Sequence, residues 1–101
     1  LKELIIKGGE NIAPREIDEA LLAHAAILEA AAVGIPDAHY GQDILACVVL
    51  KEGRSITEEE LRSHCLRELG RYKTPRIIRI VRDLPKAASG KIQRLKLLDL
   101  A

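Results

Sequence analysis

Lys91 is the residue whose neighbours best equip it for chemistry. It stands in the run Leu84-Pro85-Lys86-Ala87-Ala88-Ser89-Gly90-Lys91-Ile92-Gln93-Arg94. Pro85 has no backbone donor, and Ser89-Gly90 is a turn pair that admits positive φ, so the run reads as a loop. An apolar strand-like segment, residues 77–81, precedes it, and a leucine-rich segment that reads as a short helix, residues 95–100, follows. A lysine held forward between two anchored elements suits a phosphate or carboxylate, because its ammonium is a compact, mobile point charge. Spacing alone also allows a plain solvated loop lysine. The second stretch of interest is Gly8-Gly9. Short extended runs flank it, and the whole reads as a β-hairpin with the glycines at its turn.

The elements that would hold these two stretches are legible in the pattern. Pro14 suits the first position of a helix, and Glu16, Asp18 and Glu19 favour its N-terminus through the macrodipole. Ile17, Leu21 and Leu28 lie close to one face, with Ala20 and a partly buried His24 beside them. Residues 27–35 are short enough for a strand and end at Gly34 and Pro36. A polar loop, 37–42, leads to Ile-Leu-Ala-Cys-Val-Val-Leu at 44–50, the continuous apolar run of a strand covered on both faces. Thr57 and Glu60 form a capping box, Leu61, Cys65 and Leu69 repeat at helical spacing, and Gly70 closes that helix at C′. The order is hairpin, helix, strand, strand, helix, strand, short helix. That order implies an α+β fold: a small mixed β-sheet covered by helices, with an N-terminal β-hairpin.

Composition bounds the rest. A chain of 101 residues makes one domain, and 48% hydrophobic content supports a packed core. Only 2% is aromatic, so that core is aliphatic. Sixteen basic against 15 acidic residues give a net charge of +1, which is no footprint for nucleic acid. Cys47 and Cys65 sit far apart in apolar patterns and read as buried thiols in a reducing compartment. The histidines have no ligand spacing with either, so no metal site is expected. No run is long enough to span a bilayer. The chain opens at Leu1 directly on patterned sequence, as a piece of a longer polypeptide would.

The Lys91 loop resembles the closing motif of the adenylate-forming (AMP-binding) superfamily, in Leu84, Pro85, Ser89, Gly90, Lys91 and Arg94. That superfamily includes acyl-CoA synthetases, aryl-CoA ligases, luciferases and peptide-synthetase adenylation domains. The resemblance extends over Lys2-Glu3-Leu4-Ile5, Gly8-Gly9-Glu10-Asn11-Ile12, Pro14, Glu16-Ile17-Asp18, Val33-Gly34-Ile35-Pro36-Asp37, Gly41 and Tyr72-Lys73 with Pro75. Gln42 departs from the usual glutamate, and the last strand lacks the common aromatic. The resemblance implies that residues 1–101 are the mobile C-terminal domain of an acyl-CoA ligase, inactive without a large N-terminal domain. The reaction it implies joins a carboxylate to ATP as an acyl-adenylate and then moves the acyl group to the CoA thiol.

It also implies roles. Lys91 would be the adenylation lysine, supported by Pro85, Ser89 and Gly90. Lys2 would be the hinge, and Gly8, Gly9 and Glu10 would line the pantetheine tunnel. ATP with Mg2+ and coenzyme A would be substrates of the full enzyme, with none bound to this piece alone. Its partners would be its own N-terminal domain, acyl-adenylate and CoA, with no nucleic acid and no membrane span, in the cytoplasm. A peptide-synthetase adenylation domain is the nearest alternative, although its opening segment differs from Gly-Gly-Glu-Asn-Ile-x-Pro. A non-catalytic binding module built on Arg71, Lys73, Arg76, Arg79 and Arg82 is the other.

Overall fold

Side chains that alternate across a strand must be covered on both sides, and that requirement sets this architecture. The structure, a computed structural model, describes residues 3–101. Strands β1 (Ile5–Lys7) and β2 (Glu10–Ile12) pair antiparallel as the expected hairpin. Helix α1 (Pro14–Leu22) follows, with Pro14 in its first turn. Strands β3 (Ile27–Asp37) and β4 (Gly41–Leu50) pair antiparallel, and after helix α2 (Glu58–Leu69) strand β5 (Ile77–Ile80) pairs parallel to β4. A 3-10 helix, Arg94–Leu100, ends the chain. The sheet order β3-β4-β5 puts the continuously apolar strand in the middle.

Each face of the sheet has its own core. Ala30, Ala32, Ile44, Ala46, Val48 and Ile78 pack with the hairpin residues Ile5 and Ile12, with Ile17 and Leu21 of α1, and with Leu61 and Cys65 of α2. Ala31, Val33, Leu45, Cys47 and Val49 face the other way, against Leu84 of the lysine loop and Leu97 of the 3-10 helix. The hairpin and the two long helices therefore cover one face, and the lysine-bearing segment covers the other. Cys47 and Cys65 fall in opposite cores, are free and are buried, as their apolar settings imply.

The capping box of α2 is complete: Thr57 Oγ1 accepts from Glu60 N–H at 3.0 Å, and Glu60 Oε1 accepts from Thr57 N–H at 2.9 Å. Three local expectations change in this part of the fold. The loop expected over 37–42 narrows to 38–40, because β3 runs on to Asp37 and β4 starts at Gly41. Leu28 does not share the face of α1: the helix ends at Leu22, the register of β3 shifts between Ile27 and Glu29, and Leu28 is exposed. Gly70 does close α2 at positive φ, +82, but with ψ 172 it departs from the left-handed helical conformation of a C′ glycine, its N–H still bonded to Leu66 O.

Candidate functional site

The Lys91 loop is a small hairpin in its own right. Lys86 and Ile92 form an antiparallel bridge. Ala87 N–H donates to Lys91 O at 2.8 Å, Gly90 N–H to Ala87 O at 2.9 Å, and Gln93 N–H to Pro85 O at 2.9 Å. Gly90 sits at φ +91, which a side chain would strain. Ser89 Oγ lies 3.5 Å from Lys91 N, the limit of a hydrogen bond. Buried Leu84 anchors one end and buried Leu97 lies just past the other. Each contributes roughly 2 kcal/mol of apolar burial. The two lysines of the loop then differ sharply. Lys86 Nζ is held 2.7 Å from Glu29, which pushes its pKa up and keeps it charged. Lys91 is exposed, and among the described residues its ammonium makes no ion pair. Around it runs an open groove lined by Glu3, Ser89, Gln93, Arg94 and Lys96.

Arg94 fixes where that groove begins. Its Nη2 donates to Asp18 Oδ2 at 2.7 Å and its Nη1 to Asp18 Oδ1 at 3.2 Å and to Ala32 O at 3.0 Å. Asp18 Oδ1 also accepts from Ala32 N–H at 2.8 Å. The outward N–H and C=O of Ala32, on edge strand β3, are thus capped by side chains instead of another strand. Burial pushes the Asp18 carboxyl above its ordinary 3.8, while the Arg94 guanidinium and the Ala32 N–H pull it down. Arg94 Nε also lies 3.6 Å from Glu3. Asp18 is therefore no first-turn partner of the helix dipole, as its position in the sequence suggested. It is a buried anchor in α1, and Arg94 ties the lysine loop to it. The only sequence signal for Arg94 was its place in the motif.

The Gly8-Gly9 turn divides into unlike halves. Both glycines have positive φ, +55 and +85. A Cβ on Gly8 would stand 2.3 Å from the Tyr72 hydroxyl, whereas one on Gly9 would meet nothing within 4 Å. Gly8 faces the domain and Gly9 faces outward. Glu10 is exposed beside them, paired in register with Lys7.

The family described as AMP-binding enzyme C-terminal domain matches residues 16–91. The chain belongs to this family. As such a domain it has relatives among the CoA ligases. The sulfoacetate–CoA ligase of Cupriavidus necator is 66% identical over 100 residues, which are 99% of this chain and 20% of that protein. Among solved structures, apo MatB from Rhodopseudomonas palustris matches with a TM-score of 0.91 at 33% identity, covering 98% of this chain and 20% of that one. A double mutant of the o-succinylbenzoate CoA synthetase of Bacillus subtilis, bound with its product analogue, matches with a TM-score of 0.89 at 38% identity, covering 96% of this chain and 20% of that one. The chain spans about a fifth of the length of these relatives.

The remaining expected residues fall as follows. Lys2 lies outside the described residues. The basic residues near α2 and β5 are largely neutralised in place: Lys73 is 3.0 Å from Glu16, Arg76 3.8 Å from Asp37 and Arg79 3.9 Å from Glu58. Such pairs make a solvated mixed surface rather than a cationic patch. No helix among the described residues is long and apolar enough to cross a membrane.

Proposed function

We propose that this domain is the mobile, lysine-donating part of an ATP-dependent acyl-CoA ligase. A carboxylate attacks the α-phosphorus of ATP, giving acyl-adenylate and pyrophosphate. The CoA sulfur then attacks the acyl carbon, and AMP leaves. The observation that carries this reading is the exposed Lys91, without an ion pair among the described residues, on a loop anchored at both ends. A cation on a rigid mount stabilises negative charge as it develops on the transferring group without first reorganising. Pro85, Ser89 and Gly90 shape that mount. Gly8, Gly9 and Glu10 would line the path of the pantetheine arm, with Gly9 as the residue nearest it, since Gly9 alone of the two glycines faces open space.

The rest of the ligase would supply the acyl and nucleotide pockets, and Lys2 would be the pivot between the two parts. Relatives of this domain are named for acids as unlike as sulfoacetate and o-succinylbenzoate. That contrast supports choice of acid residing outside the domain. Among the described residues no group of three or more His, Cys, Asp or Glu side chains could hold a metal ion. Mg2+ therefore enters this reading with the phosphates of ATP. Two buried free thiols suit a reducing compartment, the cytoplasm in this proposal. Acid-dependent ATP–pyrophosphate exchange tests the assignment. In the ligase that carries this domain, Lys91→Ala should lower exchange by roughly 100- to 1,000-fold. Wild-type exchange by that variant would overturn it.

A further inference from the structure

Lys7 is buried at 5% exposure, although it lies beside the turn of a hairpin whose tip is open to solvent. Strand alternation explains the direction: Ile6 points outward and Lys7 inward. A buried ammonium is unfavourable unless it is fully partnered, and this one is. Its Nζ lies 3.1 Å from Asp43 Oδ1 and donates to Tyr72 O at 2.7 Å. The rings of Tyr40 and Tyr72 stand 4.7 and 4.6 Å from it, edge to face with each other. They are the only two tyrosines of a chain without phenylalanine or tryptophan. The same pair grips the backbone of the turn. Tyr72 Oη donates to Lys7 O at 2.6 Å, and Gly8 N–H donates to Tyr40 O at 2.9 Å. Gln42 Oε1 accepts from Ile6 N–H at 2.7 Å. A leucine at position 7 would have closed the core with less desolvation. What the charged arrangement adds is direction: every bond meets Ile6, Lys7 or Gly8, at the entry to the turn.

We propose that Lys7, Asp43, Tyr40 and Tyr72 form a clamp that fixes the Gly8-Gly9 turn for thioester formation, which makes Lys7 and Tyr72 positioning residues for that half-reaction. This rests on the reading that the hairpin lines the pantetheine path. Displacing a wall of that path by an ångström misaligns the CoA sulfur with the acyl carbon. The Lys91 loop packs its apolar side chains on the opposite face of the sheet, and among the described residues none of the clamp's hydrogen bonds or ion pairs reaches it. Adenylation should therefore be indifferent to it.

Tyr72→Phe is the sharpest test, since it keeps the ring over Lys7 and removes only the hydroxyl bond to the turn. In the ligase, single-turnover acyl transfer from supplied acyl-adenylate at saturating CoA should slow by on the order of 10-fold, with adenylation unchanged within about 2-fold. Hydrogen exchange at the Gly8 amide should quicken in the same variant. Lys7→Met should show the same split more strongly, and if it fails to fold, Tyr72→Phe still decides. Equal slowing of both half-reactions by Tyr72→Phe would overturn the clamp in favour of a purely structural role. A normal thioester rate in Tyr72→Phe beside a blocked one in Gly9→Leu would overturn the clamp and leave the hairpin reading intact. A normal rate in Gly9→Leu would overturn the hairpin reading itself, and the clamp with it.

Discussion

Three charged side chains within nine residues, Lys86, Lys91 and Arg94, meet three different fates, and the differences are chemical. Lys86 is neutralised by Glu29, Arg94 is half-buried against Asp18, and Lys91 is exposed with no ion pair among the described residues. Removing Arg94 from this partly buried, bidentate pair strands the buried Asp18 carboxylate, which costs about 2 kcal/mol or more. Arg94→Met should therefore lower the stability of the domain by about that amount in urea unfolding. Asp18→Asn in the same background should then cost much less than it does alone, because the pair is already broken. Unchanged stability in Arg94→Met would show that the pair holds nothing. The thiols give a pH prediction. Burial pushes Cys47 and Cys65 up to about 11 from the ordinary 9.0. A raised folded-state value favours the protonated fold, so this contribution is complete below pH 9 and is lost as pH rises towards 11. The urea midpoint should fall across that window, and less so when both cysteines are replaced by valine. Alkylation at neutral pH should be slow until the chain is unfolded.

At the scale of elements, the hairpin gives the cleanest contrast. Gly8→Ala and Gly9→Ala both place a Cβ at positive φ, which costs about 1–2 kcal/mol. Only Gly8→Ala also drives that Cβ into the Tyr72 hydroxyl. Thermal unfolding should show Gly8→Ala as the more damaging, and equal losses would contradict the geometry. Thr57→Ala should cost about 1 kcal/mol through loss of the cap on α2. What could be read from sequence at this scale was what neighbouring residues determine. The apolar run at 44–50 announced a central strand, Thr57 and Glu60 announced a cap, and the glycine pair announced a turn. Partners distant in sequence were not legible. Asp18 and Arg94 lie 76 positions apart, and Lys7 and Tyr72 lie 65 apart. Leu28 misled because helical spacing extended past Leu22 on paper, whereas the chain turns there and shifts register in β3. The inward direction of Lys7 did have a signal, the alternation of Ile5, Ile6 and Lys7. A lysine beside a turn reads as exposed until the tyrosines that receive it are in place.

At the scale of the whole molecule, the hairpin and the lysine loop lean on opposite faces of the sheet. The hairpin packs into the core shared with α1 and α2, and the lysine loop into the core shared with the 3-10 helix. In the proposed reading such a domain would present one of them at a time to a fixed reaction centre, and rotation about its N-terminal end would exchange a cation for a glycine wall. Alone, the chain should bind no acid and catalyse no ATP–pyrophosphate exchange, and measurable exchange by it would contradict its role as a part. If each surface serves one half-reaction, its interactions are made in a single transition state and alter only that step. Single-turnover kinetics of both half-reactions in the ligase carrying Lys91→Ala or Gly9→Leu test this. The expected result is crossed: Lys91→Ala loses acyl-adenylate formation and retains acyl transfer to CoA, and Gly9→Leu does the reverse. Equal slowing of both steps by both variants would show that the two surfaces do not act separately.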